Sequence, residues 1–317
     1  MAASVRLRAS VMKKPTVAFV GTGGAARGIA HLGVLRACEE LGIRPTIFVG
    51  ASAGAIVAAT YGQGIPLDVL LDGYRLPWKR RHDGPRFHMS TFFGLPSFSQ
   101  LLDPGYLTSG LFSLEKLERY LRRHLPLNDF KKIENRLIIT SVDLDRAERV
   151  LFGKGYDADT PISRAVAASC CIPGLFRPFE IRGRYHIDGE VARTLSADVA
   201  VEAGADIVIV SNIYRPAEGE RTARSVARRG PLQVMNQSIN IMLTEKERRG
   251  IDLYTHVHPR CTFIDIAPDI GRFGYLNRFA ARSLVLRGYR AALQTLAAAK
   301  ERGLFELPRV ALGGPLN

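Results

Sequence analysis

The chain has 317 residues, 46% of them hydrophobic and 23% charged, which is ordinary globular composition with enough apolar residues for a sizeable core. Lysine and arginine number 44 against 30 acidic residues, a formal charge of +14 that makes anionic surfaces its natural partners. No run approaches the roughly eighteen apolar residues a spanning helix needs, and neither an internal repeat nor a long low-complexity linker interrupts the chain.

Residues 1–14, with Arg6, Arg8, Lys13 and Lys14, read as a flexible basic tail without the apolar core of a signal peptide. Residues 16–20 form a predicted strand that runs into the Gly-rich stretch Gly21-Thr22-Gly23-Gly24-Ala25-Ala26-Arg27-Gly28. A helix follows, with an apolar stripe through Ile29, Leu32, Leu35, Cys38 and Leu41 and with Gly42 placed to end it. Such a loop can present several backbone N–H groups to one anionic oxygen, as a phosphate cradle or an oxyanion hole does. Gly21 to Ala26 also fits a dinucleotide-binding fingerprint. That reading requires an acidic residue about twenty positions on, at the end of the second strand, and Gly50-Ala51-Ser52 stands there instead.

The second predicted strand, Thr46-Ile47-Phe48-Val49, enters Gly50-Ala51-Ser52-Ala53-Gly54, and good helix-forming sequence continues from Ala55. This is the strand–turn–helix context of a nucleophile elbow. There a strained turn exposes a serine hydroxyl, a Cβ at either flanking glycine would crowd the crossing, and the helix amino end favours negative charge. Ser52 is therefore the candidate nucleophile.

A nucleophilic serine needs a base. His31 lies inside the first helix, where packing or hydrogen bonding suits it better, and His82, His88, His124, His256 and His258 sit among charged or loop-like residues. His186 reads as a strand residue, singled out only by its nearness to Asp188. Arg184-Tyr185-His186-Ile187 ends a strand, and Asp188-Gly189 makes a turn that would expose the carboxylate. Taken alone, that pair is equally a simple strand-end turn. Residues 205–210 and 261–266 are further predicted strands, and residues 278–300 a closing helix.

These elements together resemble the patatin-like phospholipases, serine lipid acyl hydrolases that use a Ser-Asp dyad. Gly23-Gly24-Ala25-Ala26-Arg27-Gly28 with His31-Leu32-Gly33-Val34-Leu35 is similar to the family's oxyanion loop and first helix. Gly50 to Gly54 matches its elbow, Asp188-Gly189 its dyad motif, and Ala168 to Phe176 the segment leading to the dyad strand. The resemblance implies an α/β three-layer sandwich with a central, mostly parallel sheet over residues 15–300, a lid-like insertion at about 72–110 and a tail at 301–317. It also implies Ser52 as nucleophile and Asp188 as base through a short hydrogen bond, with the amides of Gly23, Gly24 and Ala25 holding the oxyanion and no metal or other cofactor. Arg27 would steer a headgroup phosphate or form an ion pair beneath the loop. Three features depart from the pattern: Ala25 stands where a third glycine is usual, Glu190 follows Gly189 where Gly or Ala is usual, and Val191 to Ser196 lacks the Asn and Pro often found after that motif. Glu190 would raise the pKa of Asp188 if turned inward and be solvated if turned out.

The implied substrate is a glycerophospholipid or lysophospholipid. Acyl transfer or thioester cleavage by the same dyad, and a regulatory protein of low turnover, are the alternatives. Trp78-Lys79-Arg80-Arg81 followed by Phe87, Phe92, Phe93, Leu95 and Phe98 combines cationic and bulky apolar side chains as interfacial membrane binding does, or as a cover over an acyl pocket does. The stretch from Arg221 to Arg229 reads as a solvated surface. Scattered basic residues without a recognised motif argue against nucleic acid. Cys38, Cys170, Cys171 and Cys261 have no C-x-x-C spacing and suit a reducing compartment, so the expectation is a cytoplasmic protein that visits a membrane surface.

Overall fold

The computed structural model describes residues 14–73, 81–85, 112–192, 195–213, 230–270 and 281–306, together with Gly110, Ser225 and Ala227. The described strands are β1 (Val17–Gly21), β2 (Ile47–Gly50), β3 (Arg136–Asp143), β4 (Glu148–Gly153), β5 (Phe179–Ile181), β6 (Arg184–Asp188), β7 (Ile207–Ser211) and β8 (Thr262–Ile266). They form one sheet in the order β5-β6-β3-β2-β1-β7-β8, with β4 added to β3. The run from β3 to β8 is parallel, whereas β4, β5 and β6 pair antiparallel.

β1 and β7 are buried along their whole length and rich in branched apolar residues, the pattern of parallel strands covered on both faces. Phe19, Phe48, Leu137, Ile139, Ile207 and Ile209 face one layer, which contains α1 (Ala30–Glu40), α2 (Ala53–Tyr61), α3 (Leu67–Asp72), α4 (Glu115–His124), α5 (Ile162–Ser169) and α8 (Ala281–Glu301). Ala18, Val20, Ile47, Val49, Val208 and Val210 face the other, built on α6 (Ala197–Glu202) and on Tyr254 of α7 (Pro231–Val257). This is the expected three-layer α/β sandwich. α1 stops at Gly42, whose φ of 70° ends the helix as expected.

The topology of β3 places the site. β4 covers Ile138 to Asp143 on one edge, so β2 and β6 share the opposite edge. Along that edge Gly50 pairs with Ile139 and Asp188 pairs with Ser141, two residues further on. Because β2 runs parallel to β3 and β6 antiparallel, their carboxyl ends meet head-on. Meanwhile Gly21, Gly50 and Ser211 stand in register at the carboxyl edge of the parallel strands.

Two described contacts lie near the bounds given for the expected insertion. The buried Asp72 accepts hydrogen bonds from the amides of Arg81 and His82 at 2.7 and 2.8 Å. Phe112 exchanges backbone hydrogen bonds with Leu175 and Arg177. Trp78 through Phe98, apart from residues 81–85, lies outside the described residues, as do the basic tail at 1–13, most of 221–229 and residues 307–317.

Candidate active site

The loop after β1 is held from below. His31 is fully buried, with Nε2 2.9 Å from the Thr22 carbonyl and Nδ1 2.6 Å from Ser211 Oγ. A carbonyl only accepts, so Nε2 carries the proton and Nδ1 receives the Ser211 hydroxyl. Burial lowers the His31 pKa to about 4 and keeps the ring neutral. Its expected packing and hydrogen-bonding role is what the structure gives. Thr22 Oγ1 donates to the Ser211 carbonyl at 3.2 Å and accepts the Ile213 amide at 3.2 Å, which fixes the loop to the end of β7.

Beyond Gly24 the chain makes a 3-10 turn, Ala25–Ile29, before α1, where a direct entry into the helix was expected. Ala25 sits at φ 50°, so the position occupied by a third glycine in the resembling family does require the left-handed region. Arg27 is buried in this turn and closes it by donating its amide to the Gly24 carbonyl at 3.1 Å.

The elbow is as strained as its sequence predicts. Ser52 has φ 51° and ψ −122°, immediately before the first residue of α2. A Cβ on Gly54 would overlap the carbonyl of Gly21, and one on Gly50 would come within 2.6 Å of Ala55 Cα, so both glycines are required by contact. The amides of Ala51 and Gly54 donate to the carbonyls of Gly21 and Thr22, both at 3.1 Å, joining elbow and Gly-rich loop into one unit. The Ser52 amide donates to Ser169 Oγ at 2.8 Å, and the Cys170 thiol reaches the Ser52 carbonyl at 3.3 Å.

Asp188 is brought towards Ser52 by the head-on meeting of β2 and β6, near enough for the Ser52 side chain to act on the Asp188 pKa. Its own turn supplies a further donor, the Glu190 amide at 3.0 Å from Oδ1. Only 4% and 6% of the Ser52 and Asp188 surfaces are accessible, and the turn after β6, which by itself implies an exposed carboxylate, folds inward as a 3-10 segment, Gly189–Val191. That burial raises the Asp188 pKa to about 6, with the Ser52 side chain and the Glu190 amide opposing the shift. Burial first, and then the charge of Asp188, push the Cys170 and Cys171 thiols well above their ordinary range.

His186 turns its Nδ1 to Ser141 Oγ at 2.9 Å and its ring towards Phe152, the strand role expected of it. Glu190 points inward, buried, with Oε1 accepting the Gly23 amide at 2.7 Å. One of the three amides expected to hold an oxyanion is therefore occupied by a carboxylate. Nothing in its immediate sequence marks Ser169 as part of the site. The only signal for it is its place in the Ala168 to Phe176 segment, because its partner lies 117 residues away.

The arrangement combines a strained buried serine, a carboxylate with a raised pKa and a Gly-rich loop, the groups that acyl transfer needs. Residues 20–201 match the family described as patatin-like phospholipase. An uncharacterized NTE family protein of Mycobacterium tuberculosis is 27% identical over 213 residues, 67% of this chain and 53% of that protein. A patatin-like phospholipase domain-containing protein of Caenorhabditis elegans is 28% identical over 211 residues, 65% of this chain and 14% of the relative. A lysophospholipase of Aspergillus fumigatus is 25% identical over 197 residues, 62% and 12% respectively. The chain thus spans about half the length, or less, of these curated relatives. The crystal structure of VipD from Legionella pneumophila aligns with a TM-score of 0.44 at 15% identity, covering 90% of this chain and 67% of that one.

Proposed function

Because the chain belongs to the patatin-like phospholipase family, we propose that it hydrolyses the acyl ester of a phospholipid or lysophospholipid through an acyl-enzyme on Ser52, with Asp188 as the base. The observation that carries this reading is the convergence of the strained Ser52 on a buried carboxylate whose pKa burial has raised to about 6. A carboxylate near its usual pKa is a weak base towards an alcohol, and desolvation makes proton uptake easier.

In the proposed cycle Ser52 Oγ attacks the ester carbonyl carbon as its proton passes to Asp188. The oxyanion is held by amides of the Gly23-Gly24-Ala25 loop and favoured by the amino end of α2. Collapse expels the alcohol, which takes the proton from Asp188. Water then attacks the acyl group, giving a proton to Asp188, and release of the fatty acid returns that proton to Ser52. Arg27, buried in its turn, supports the loop in this scheme.

A lipid-surface origin for the substrate fits the charge of +14. It also fits α7, where Ile241 and Met242 are exposed by 60% and 64%. Among the described residues no helix is long and apolar enough to cross a membrane. A cytoplasmic protein that docks transiently on anionic bilayers is the corresponding cellular reading.

A fluorophosphonate probe tests the nucleophile: intact-mass and peptide analysis should place one adduct on Ser52, and a folded protein without that adduct would overturn the reading. Assay against a panel of phospholipids, lysophospholipids and acyl thioesters then assigns the substrate and separates hydrolysis from acyl transfer.

A further inference from the structure

Glu190 lies 167 residues from Gly23 in sequence, yet its carboxylate accepts the Gly23 amide at 2.7 Å. A Cβ built on Gly23 would stand 2.9 Å from Glu190 Cγ and 3.2 Å from Ser52 Cβ, so both side chains crowd the same side of this glycine. The backbone beneath Glu190 is fixed: its amide donates to Asp188 Oδ1 at 3.0 Å, and Lys246 of α7 donates to the Val191 carbonyl at 3.1 Å. Any release of the Gly23 amide therefore has to come from the side chain.

We propose that Glu190 is an internal occupant of the oxyanion loop, its carboxylate holding the Gly23 amide in the resting protein and leaving before an ester can be attacked. This rests on the hydrolase reading of Ser52. A carboxylate oxygen is a stronger acceptor than a neutral ester carbonyl, because the hydrogen bond is charge-assisted, and it is tethered beside its donor while the substrate must arrive from outside. If Glu190 stayed in place, the oxyanion would form against a like charge. Displacement of the side chain is therefore a cost charged to every acylation, and Glu190 sets how readily a substrate engages Ser52. The opposing possibility is that Glu190 merely props the Gly-rich loop, in which case its removal slows the enzyme.

The test compares Glu190→Ala, Glu190→Gln and the unaltered full chain. The readouts are the second-order rate of fluorophosphonate labelling at Ser52, kcat and KM on a short-chain p-nitrophenyl ester, and Tm. Glu190→Ala should label about tenfold faster, the order of difference between a charged and a neutral hydrogen bond. Its KM should fall more than its kcat changes. Glu190→Gln keeps the shape without the charge and should fall between the two. Labelling and KM unchanged or worsened in a folded Glu190→Ala protein overturn the proposal while leaving the hydrolase reading intact. If Glu190→Ala does not fold, Glu190→Gln decides: faster labelling supports the proposal, equal or slower labelling overturns it. No adduct on Ser52 in any of the three proteins overturns both readings together.

Discussion

Ser52 and Asp188 meet because the strands that carry them end against each other along one edge of β3, with Gly50 opposite Ile139 and Asp188 opposite Ser141. The serine follows a strand that runs with β3, and the aspartate closes one that runs against it. Sheet register therefore brings Asp188 to the elbow that carries Ser52.

Asp188→Asn should abolish turnover, with a loss of roughly 10² to 10⁴ in kcat, the contribution of a general base. His186→Ala should leave the rate within a few fold, since that ring serves Ser141. In the unaltered protein kcat/KM should rise with pH through about 6 and then level as Asp188 becomes ionised. A pH–rate profile with no such rise would remove Asp188 as the base.

The same shift bears on stability. Asp188 has a folded pKa near 6 against an ordinary 3.8, so its contribution is present below 3.8 and is lost as pH rises through 6, about 3 kcal/mol in all. His31 works in the other direction. Its folded pKa of about 4 lies below the ordinary 6.5, so a contribution of about 3 kcal/mol is present above 6.5 and lost as pH falls to 4. From these two groups the stability of the natural chain should be nearly flat between pH 4 and 6. In Asp188→Asn the His31 loss is uncovered, and urea denaturation at pH 4.5 and 7.5 should show a markedly steeper acid destabilisation.

Ser169→Ala removes the acceptor of the Ser52 amide and leaves that buried N–H without its partner. The expected cost is about 1 to 3 kcal/mol in stability. A loss of roughly tenfold in kcat should accompany it as the elbow relaxes, while Ser169→Thr should recover part of both if its hydroxyl reaches the same place. Tm and steady-state kinetics on the three proteins read this directly.

Gly54→Ala drives a methyl group into the Gly21 backbone and should lower stability by more than about 2 kcal/mol, since neither the end of β1 nor the start of α2 can withdraw. Ala25→Gly acts oppositely. It relieves a left-handed alanine and should be neutral or stabilising by up to about 1 kcal/mol, with activity retained. A marked loss of Tm in Ala25→Gly would contradict the strain assigned to that turn.

Most of this arrangement could be read from local pattern. β1, β2, β7 and β8 are short apolar runs, the elbow and the Gly-rich loop announce themselves by glycine spacing, and Asp188-Gly189 stands at a strand end. How the fold buries the site could not be read in the same way. Asp188 in an Asp-Gly turn looks solvent-facing until β6 is paired with β3, and that pairing is a tertiary event. The direction of Glu190 depended likewise on a contact with Gly23 that no local rule encodes. α7 escaped notice because its mixed polar and apolar sequence, with Ile241 and Met242 outward, lacks a clean one-sided stripe.

The head-on meeting of β2 and β6 also orders events during folding. A segment ending before β6 can build the Gly-rich loop and the elbow, since β1, β2 and α2 are near neighbours in sequence, but it holds no carboxylate for Ser52. Only closure of the long excursion through β3, β4 and α5 brings Asp188 into register, and closing such a distance is slow. A newly made chain thus cannot bring Asp188 to Ser52 until its sheet is complete.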